Sequence, residues 1–252
     1  MLASERQSKI LNQVTDKNAV SIRDLSKEFG VSRETIRKDI AILSGDSKVE
    51  MVRGGAVKVR TAEPSFAARS VRNREGKNAI AKFIAKKIPD GASVIIDSGS
   101  TTQAAAHQLA KYCKDLLVYT NDLAVAQILA PASRELIFIG GRVSPTEMAA
   151  QGHETIEALR RYHAEFALIG VGGLSAEAGL TDFTFEGAAL RNVMLSNAQQ
   201  SFLLADHTKF GAVGQVRLAK LPVQARLVID RPLPTDIESS QFAWVSQIDI
   251  AT

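Results

Sequence analysis

The hydrophobic positions in the first sixty residues recur with two different periods. Apolar residues spaced at i, i+4 and i+7 predict an amphipathic helix; they are Ile36, Ile40 and Leu43. A similar stripe predicts an earlier helix over residues 5–16. From residue 48 to residue 60 apolar and polar positions alternate, which predicts two β-strands joined by a turn at Gly54-Gly55.

Residues 21–40 carry the end signals of two short helices. Ser21 and Ser32 each stand at an expected N-cap, where a side-chain oxygen accepts a backbone N–H. Gly30 suits the left-handed residue that ends the first of these helices. The second helix then begins with a basic and polar face. This order predicts a winged helix-turn-helix, whose second helix enters the DNA major groove N-terminus first.

The candidate DNA-binding residues lie at the caps, on the exposed face of the second helix and near the tip of the wing. They are Ser21, Ser32, Arg33, Thr35, Arg37, Lys38 and Arg53. Wing arginines that contact phosphate fix the register of binding more than its sequence preference. Two alternatives stay open. Glu34 and Lys38 could form an ordinary surface ion pair, and the wing could be a hairpin that only packs on the helices.

The basic charge of the chain is concentrated in the same segment. The chain has 31 Lys and Arg against 27 Asp and Glu, a net charge of +4. Residues 1–60 hold 12 basic and 8 acidic residues, and the remaining residues hold 19 of each. A basic head on a neutral body is the distribution expected when one domain binds DNA and a second does not.

The composition is that of an ordinary globular protein, with 45 % hydrophobic and 23 % charged residues. No apolar run approaches the ~18 residues of a membrane helix, and the N-terminus lacks the apolar core of a signal peptide. Cys113 is the only cysteine, so no intrachain disulfide and no cysteine-based metal site are expected. We expect a cytoplasmic protein without a metal or a cofactor.

The rest of the chain repeats a short apolar run, a polar or glycine-rich turn and a helix. Strands are predicted over residues 93–97, 116–119, 136–139, 166–171, 202–205 and 227–229. Strands that alternate with helices imply a mostly parallel sheet covered on both faces. The predicted fold class is therefore α/β: a DNA-binding domain over residues 1–60, a linker over 61–74, and a larger domain over 75–252.

Polar turns follow five of these strands, at the sheet edge where ligands bind in open parallel sheets. The first turn combines small and hydroxyl residues at the start of a helix, which suits a phosphate cradle. The candidate effector-binding residues are Asp97, Gly99, Ser100, Thr101, Thr102, Asn121, Gly140, Gly141, Asp206 and Lys209. A sugar phosphate would suit them, with Lys209, Arg142 and backbone N–H groups for the phosphate and Asp97, Asn121 and Asp206 for hydroxyls.

Each turn also has an ordinary alternative. The glycines could be simple turns, and Asp97 could only cap the next helix. Asp206 and Lys209 could be a surface ion pair of little energetic value.

Taken in order, these residues resemble the DeoR family of bacterial transcriptional regulators over nearly the whole length. The motifs that carry the resemblance are Asp24-Leu25, Phe29-Gly-Val-Ser32, Thr35-Ile-Arg37, Asp39, Arg53-Gly-Gly-Ala56, Asp97-Ser-Gly-Ser-Thr101, Thr120-Asn121, Gly140-Gly141, Gly152, Gly170, Asp206 and Lys209-Phe-Gly211. The resemblance implies a repressor of a carbohydrate-utilisation operon that binds a double-stranded DNA operator. It also implies a sensor and oligomerisation domain akin to sugar-phosphate isomerases, a phosphorylated sugar or sugar derivative as effector, and a homodimer or homotetramer. The family's paired arginines are Arg37-Lys38 here, and lysine cannot make arginine's bidentate contact to guanine.

Two other functions compete with a ligand-controlled regulator. A sugar-phosphate isomerase-like enzyme with an appended DNA-binding head could draw acid–base groups from Asp97, Asp206, Glu186 and Lys209. A nonspecific nucleoid-type binder would show no sequence preference. The regulator is favoured because the enzyme leaves the basic head without a role, and the nucleoid binder leaves the large neutral body without one.

Overall fold

A computed structural model of the protein describes residues 2–17, 19–45, 49–58, 63–175, 178–218, 225–233 and 245–251. The chain divides into two compact units, Met1–Thr61 and Ala62–Thr252. Within the described ranges, no helix is both long enough and apolar enough to span a bilayer.

The first unit combines helices with a small antiparallel sheet. Its elements are α1 (Ala3–Lys17), β1 (Ala19–Ser21), α2 (Ile22–Phe29), α3 (Arg33–Gly45), β2 (Val49–Val52) and β3 (Gly55–Lys58). Ser21 accepts the N–H groups of Arg23 and Asp24, and Gly30 ends α2 with φ 63°, so the predicted caps and the left-handed turn are confirmed. The hairpin of β2 and β3, called the wing from here on, is also confirmed.

The predicted apolar stripe of α3 forms the core of this unit. Ile36, Ile40 and Leu43 are buried against apolar residues of α1, α2 and the wing. Strand β1 was not predicted; it pairs antiparallel with β3. A strand of three residues is too short to show the alternation of apolar and polar positions by which strands are predicted.

The second unit is built on a parallel sheet with helices on both faces. Its helices are α4 (Phe66–Val71), α5 (Arg74–Ala85), α6 (Ser100–Tyr112), α7 (Leu123–Leu129), α8 (His153–Leu159) and α9 (Phe185–Ser196). Its strands are β4 (Ser93–Ile96), β5 (Leu116–Thr120), β6 (Ser133–Phe138), β7 (Arg142–Ser144), β8 (Ala149–Gln151), β9 (Ala164–Gly170), β10 (Gly173–Ser175), β11 (Gly179–Asp182), β12 (Ala198–Ala205), β13 (Val216–Arg217), β14 (Ala225–Ile229) and β15 (Gln247–Ile250).

Within the described residues, the main sheet has seven strands in the order β15-β14-β12-β9-β4-β5-β6, and all neighbouring pairs are parallel. The six predicted strands are present, and β15 at the sheet edge is an addition. The short strands β7 and β8 pair with each other, and β10, β11 and β13 form a separate small sheet.

Successive residues of the sheet face two different cores, as strand geometry requires. In β4, Val94 and Ile96 belong to a cluster that includes Leu109 of α6. Ile95 between them belongs to the opposite cluster, which includes Met194 of α9. Both faces of the sheet are therefore buried, as expected for a parallel sheet.

The strand order creates a switch point at β4. The chain runs outward from β4 through β5 and β6, then returns to place β9 on the other side of β4. The carboxyl ends of β4 and β9 therefore border a crevice, which is where open α/β sheets bind ligands. We call this side of the sheet the carboxyl edge.

The structure differs from the prediction of a linker over residues 61–74. The described residues from 63 onward include α4 and the start of α5. Ser65 accepts the N–H of Ala68 and caps α4. Arg69 is buried and paired with Glu63 and Glu147. The segment was predicted as a linker because it is polar and contains a proline. Arg69 is buried through ion pairs, and a pattern of hydrophobic positions does not indicate burial of that kind.

Candidate functional site

The exposed face of α3 carries most of the predicted DNA contacts. Arg33, Arg37 and Lys38 are exposed. Ser32 accepts the N–H of Thr35 at 3.1 Å, and the two hydroxyl oxygens are 2.8 Å apart. Because Ser32 caps the helix, the first turn of α3 is fixed where a recognition helix meets base edges.

The surface ion pair on this helix differs from the alternative drawn from the sequence. Arg37 Nη1 donates to Glu34 Oε2 at 2.9 Å, so the partner of Glu34 is three residues away and not Lys38. Both side chains are more than half exposed, and such a pair contributes little stability. DNA can therefore replace Glu34 as the partner of Arg37 at small cost.

The wing and the cap of α2 lie next to each other. The N–H of Ile22 donates to the carbonyl of Gly54 at 2.7 Å, which ties the start of α2 to the turn of the wing. Arg53 is exposed in that turn, where a guanidinium can reach a phosphate. The Ser21 oxygen serves as the helix cap.

In the second unit, Asp97 joins three elements at the carboxyl edge. Its Oδ2 accepts Arg191 Nε at 2.7 Å and the N–H of Gly170 at 3.0 Å, and Arg191 also contacts Asp182. Burial raises the pKa of Asp97, and the Arg191 guanidinium opposes that rise. Asp97 therefore holds β4, β9 and α9 together around the crevice, whereas the sequence suggested a contact to ligand hydroxyls.

The turn after β4 presents the N-terminus of α6 to the crevice. Gly99 has φ 140° and no described side chain caps the helix that follows it. The Thr102 hydroxyl donates to the carbonyl of Gly99 at 2.8 Å. Asp122 accepts the N–H of Gly99 and the amide of Gln103. Backbone N–H groups at an uncapped helix start form an anion-binding site.

Of the hydroxyl residues in this turn, Thr101 is buried and Ser100 is partly exposed. Ser100 is therefore the side chain of the turn that is open to a ligand, while Thr102 is occupied within the turn.

Several buried polar atoms along the carboxyl edge have no hydrogen-bond partner among the described residues. Asn121 donates to the carbonyl of Ala150 at 2.9 Å, but its Oδ1 has no partner. Asp206 Oδ1 accepts Asn73 Nδ2 at 3.1 Å and the N–H of Thr208 at 3.0 Å, but its Oδ2 has no partner. Buried polar atoms are rarely left unsatisfied, so these two acceptors fit the hydroxyl groups of a polar ligand.

The glycine pair after β6 has two different environments. A Cβ on Gly141 would lie 2.1 Å from Thr155 Oγ1, and its φ is +147°. No atom lies within 4 Å of a Cβ on Gly140. Gly141 is therefore required for the close approach to α8, and Thr155 Oγ1 is itself buried without a partner.

Lys209 is the cation that follows β12. Its Nζ lies 3.5 Å from the carbonyl of Gly172. Burial lowers the pKa of Lys209 to about 8, although the negative charges of Glu63 and Asp206 raise it. Arg142, the other predicted phosphate partner, is exposed, with Nη2 3.8 Å from Glu186 Oε1.

Five residues near the site were not predicted. They are Arg69, Asn73, Asp122, Thr155 and Arg191. Asp122 carried a local signal, because it stands at the N-cap position of α7, where it accepts the N–H groups of Ala124 and Val125. The other four occur in helices or in the polar segment that was assigned to a linker, and nothing local marks them. No group of three metal-ligating side chains occurs within the part of the chain that is described.

Comparison with known proteins places both units in one family. Residues 6–62 match the DeoR-like helix-turn-helix domain, and residues 72–231 match the DeoR C terminal sensor domain. The chain is 26% identical to the glycerol-3-phosphate regulon repressor of Escherichia coli strain K12 over 94% of each chain. It is 32% identical to the HTH-type transcriptional repressor GlcR of Bacillus subtilis strain 168, over 92% of this chain and 90% of that one.

Among solved structures, the chain is similar to ribose 5-phosphate isomerase A from Methanocaldococcus jannaschii, over 55% of each chain with 15% identity and a TM-score of 0.40. The two family matches together cover most of the sequence. This chain is a member of the DeoR family of transcriptional regulators.

Proposed function

We propose that this protein is a transcriptional repressor that binds an operator through α3 and the wing and is controlled by a phosphorylated sugar or sugar derivative. The observation that carries the sensor half of the proposal is the crevice at the carboxyl edge. It combines an uncapped helix N-terminus, the ammonium of Lys209 and two buried acceptors without partners. Anion donors next to hydroxyl acceptors match the two ends of a sugar phosphate.

On the DNA side, the exposed residues form two groups, according to whether they are placed to contact base edges or phosphates. Ser32 caps α3, and Arg33, Thr35 and Arg37 lie in its first two turns, where a recognition helix contacts base edges. Lys38 and Arg53 are suited to phosphate, which positions the protein without reading sequence. In a dimer, the two recognition helices would contact half-sites one helical turn of DNA apart, or a multiple of it.

On the ligand side, the phosphate would bind the N–H groups of α6 with Ser100 and Lys209. The sugar hydroxyls would donate to Asn121 Oδ1 and Asp206 Oδ2. Gly99, Thr101, Thr102, Gly140 and Gly141 shape the backbone of this pocket, and Asp97 fixes its floor through Arg191. One relative is the glycerol-3-phosphate regulon repressor of Escherichia coli, and glycerol 3-phosphate is a small phosphorylated compound of this kind.

The structure gives the isomerase alternative little support. Asp97 is held in an ion pair with Arg191, and Glu186 lies at the surface beside Arg142. These two carboxylates are therefore poorly placed to act as acid and base on one substrate, and the curated relatives named above are repressors. Such a repressor works where the chromosome is, in the cytoplasm, and we propose a homodimer or homotetramer as its assembly.

The proposal is tested by the thermal stability of the full-length protein against a panel of sugar phosphates and the matching free sugars. A ligand at 100 times its Kd stabilises the folded state by about 2.7 kcal/mol, which raises the melting temperature by several degrees. A compound that shifts the melting temperature while its free sugar does not should also change operator affinity at fixed salt. Operator affinity that is identical with and without that compound would refute the regulatory proposal.

A further inference from the structure

Arg191 of α9 is held by two carboxylates, and one nitrogen of its guanidinium is left over. Its Nε donates to Asp97 Oδ2 at 2.7 Å, and its Nη1 donates to Asp182 Oδ2. Nη2 has no hydrogen-bond partner among the described residues, and it is not sealed from solvent as the unpaired Nε of Arg69 is. Nη2 lies beside Nε on the planar guanidinium, so one of its N–H bonds points to the same side as the Nε–H. The two ion pairs therefore fix a donor that faces the neighbourhood of Asp97.

This donor lies in the crevice between the carboxyl ends of β4 and β9. A Cβ on Gly170, the last residue of β9, would lie 4.0 Å from Arg191 Nη2, 3.5 Å from the carbonyl oxygen of Ser98 and 3.4 Å from Asp97 Oδ2. These are ordinary contact distances, so a methyl group fits at this point without displacing an atom. Gly170 is only partly buried, so a ligand can reach the same point from the crevice.

The groups around this point suit a hydroxyl better than a phosphate. Arg191 Nη2 donates and the Ser98 carbonyl oxygen accepts, and a hydroxyl can hydrogen-bond with both. A phosphate dianion only accepts, so the Ser98 oxygen would repel it. The nearby charge has the same effect, because the carboxylates of Asp97 and Asp182 outweigh the single guanidinium and leave this end of the crevice negative.

We propose that Arg191 Nη2 and the Ser98 carbonyl oxygen bind a hydroxyl group of the effector, in front of Gly170. This inference rests on the proposed function, in which the phosphate binds the adjoining turn that begins at Gly99. Arg191 then contacts the ligand in addition to joining β4 to α9. Gly170 becomes a residue that determines specificity, because any side chain there would take the space of the hydroxyl.

The first test compares Gly170→Ala with the wild-type full-length protein. The probes are inorganic phosphate and each sugar phosphate of the thermal-stability panel, with glycerol 3-phosphate included. The alanine methyl group is compatible with the fold but blocks the hydroxyl. The tightest-binding sugar phosphate should lose about tenfold or more in affinity, as expected when a hydrogen bond to a charged donor is lost. The affinity for inorganic phosphate should not change.

The second test uses Arg191→Lys, which keeps a positive charge between the two carboxylates but has no donor at the position of Nη2. It should show the same selective loss. The matched control is Arg226→Lys. Arg226 donates to both carboxylate oxygens of Asp249, at 2.8 and 2.6 Å, near the start of β14 and away from the carboxyl edge. This control should lower stability and leave the affinity for every probe unchanged.

Three results would overturn the inference while the proposed function stands. The first is a sugar phosphate affinity that either Gly170→Ala or Arg191→Lys leaves unchanged. The second is an equal loss for inorganic phosphate, which would assign Nη2 to the phosphate. The third is a wild-type protein that binds no sugar phosphate more tightly than inorganic phosphate. If no probe binds and none raises the melting temperature, the inference and the proposed function both fail. If Arg191→Lys does not fold, the result for Gly170→Ala decides.

Discussion

Arg6 Nε lies 2.5 Å from Asp39 Oδ2 in the interior of the DNA-binding unit, and both side chains are almost fully buried. Gln7 donates to the other carboxylate oxygen of Asp39 at 3.1 Å. Asp39 lies on α3 between the buried Ile36 and Ile40. The pair therefore fixes the rotation of the recognition helix against α1, which decides the side chains that α3 presents to DNA.

Replacing Asp39 should destabilise the DNA-binding unit strongly. In Asp39→Ala the guanidinium of Arg6 stays buried without a counter-charge, which costs about 3–5 kcal/mol. Hydrogen exchange of the α3 amides measures this unit separately from the rest of the chain. The control is Glu5→Gln, because the Glu5–Lys9 pair is exposed and should contribute less than about 1 kcal/mol. A loss below about 1 kcal/mol in Asp39→Ala would contradict the buried pair.

Arg37 and Arg53 should affect operator binding in different ways. We expect Arg37→Ala to cost about 1–3 kcal/mol and to relax sequence preference, because we propose that this exposed guanidinium of α3 contacts base edges. Arg53→Ala should weaken specific and nonspecific DNA alike and reduce the salt slope of binding by about 1, as expected for one lost phosphate contact. Fluorescence anisotropy at several salt concentrations, with operator and scrambled DNA, separates the two effects.

A matched variant tests the ion pair on the same helix. Glu34→Gln removes the partner of Arg37 and one negative charge from the DNA-facing surface, so it should strengthen DNA binding. Weaker operator binding by Glu34→Gln would show that Glu34 orients Arg37 for contact and does not compete with DNA for it.

The local patterns of the sequence were enough to predict most of the fold, but only part of the site. Caps, turns and strand periods depend on neighbouring residues, so the winged helix-turn-helix and six parallel strands could be predicted. Strand β15 was missed because it has four residues, two of them polar. The contact of Asp97 with Arg191 joins residues 94 positions apart, and no local pattern indicates such a pair. Arg69 was missed for the related reason that its burial depends on Glu147, a residue in a distant hairpin.

Effector affinity should depend on pH through Lys209. Its pKa of about 8 leaves the ammonium charged below pH 8 and increasingly neutral above it. The second pKa of a phosphate ester is near 6. We therefore expect the tightest phosphate binding between about pH 6 and pH 8, and a fall approaching tenfold per pH unit above 8 until the pKa of Lys209 in the complex is reached.

Isothermal titration calorimetry with a phosphate monoester such as glycerol 3-phosphate, between pH 6 and pH 9.5, measures this profile. Lys209→Arg should remove the decline above pH 8, because arginine stays protonated. The contribution of Lys209 to folding stability changes with pH in the opposite direction to its contribution to phosphate affinity. The folded-state pKa lies below the ordinary value of 10.5, so between about pH 8 and 10.5 the unfolded chain binds more protons and this group makes stability rise with pH. Wild-type affinity that does not change from pH 7.5 to 9.5 would exclude Lys209 from the phosphate site.

The glycine pair after β6 offers a comparison between two neighbouring residues. Gly141→Ala should destabilise the second unit by about 1–3 kcal/mol, because alanine is strained at φ +147° and its Cβ would meet Thr155 Oγ1 at 2.1 Å. Gly140→Ala should leave thermal stability nearly unchanged, since a Cβ there has no neighbour within 4 Å. Thermal unfolding, with and without phosphate, measures both variants.

A double variant separates the two causes at Gly141. Adding Thr155→Ser keeps the hydroxyl and its contact, whereas Thr155→Ala removes the oxygen that an alanine at 141 would meet first. If crowding dominates, only Thr155→Ala should recover part of the lost stability and of the phosphate affinity. If backbone strain dominates, neither second change should help, because φ at residue 141 stays positive. Equal stability of Gly140→Ala and Gly141→Ala would contradict the close approach of this turn to α8.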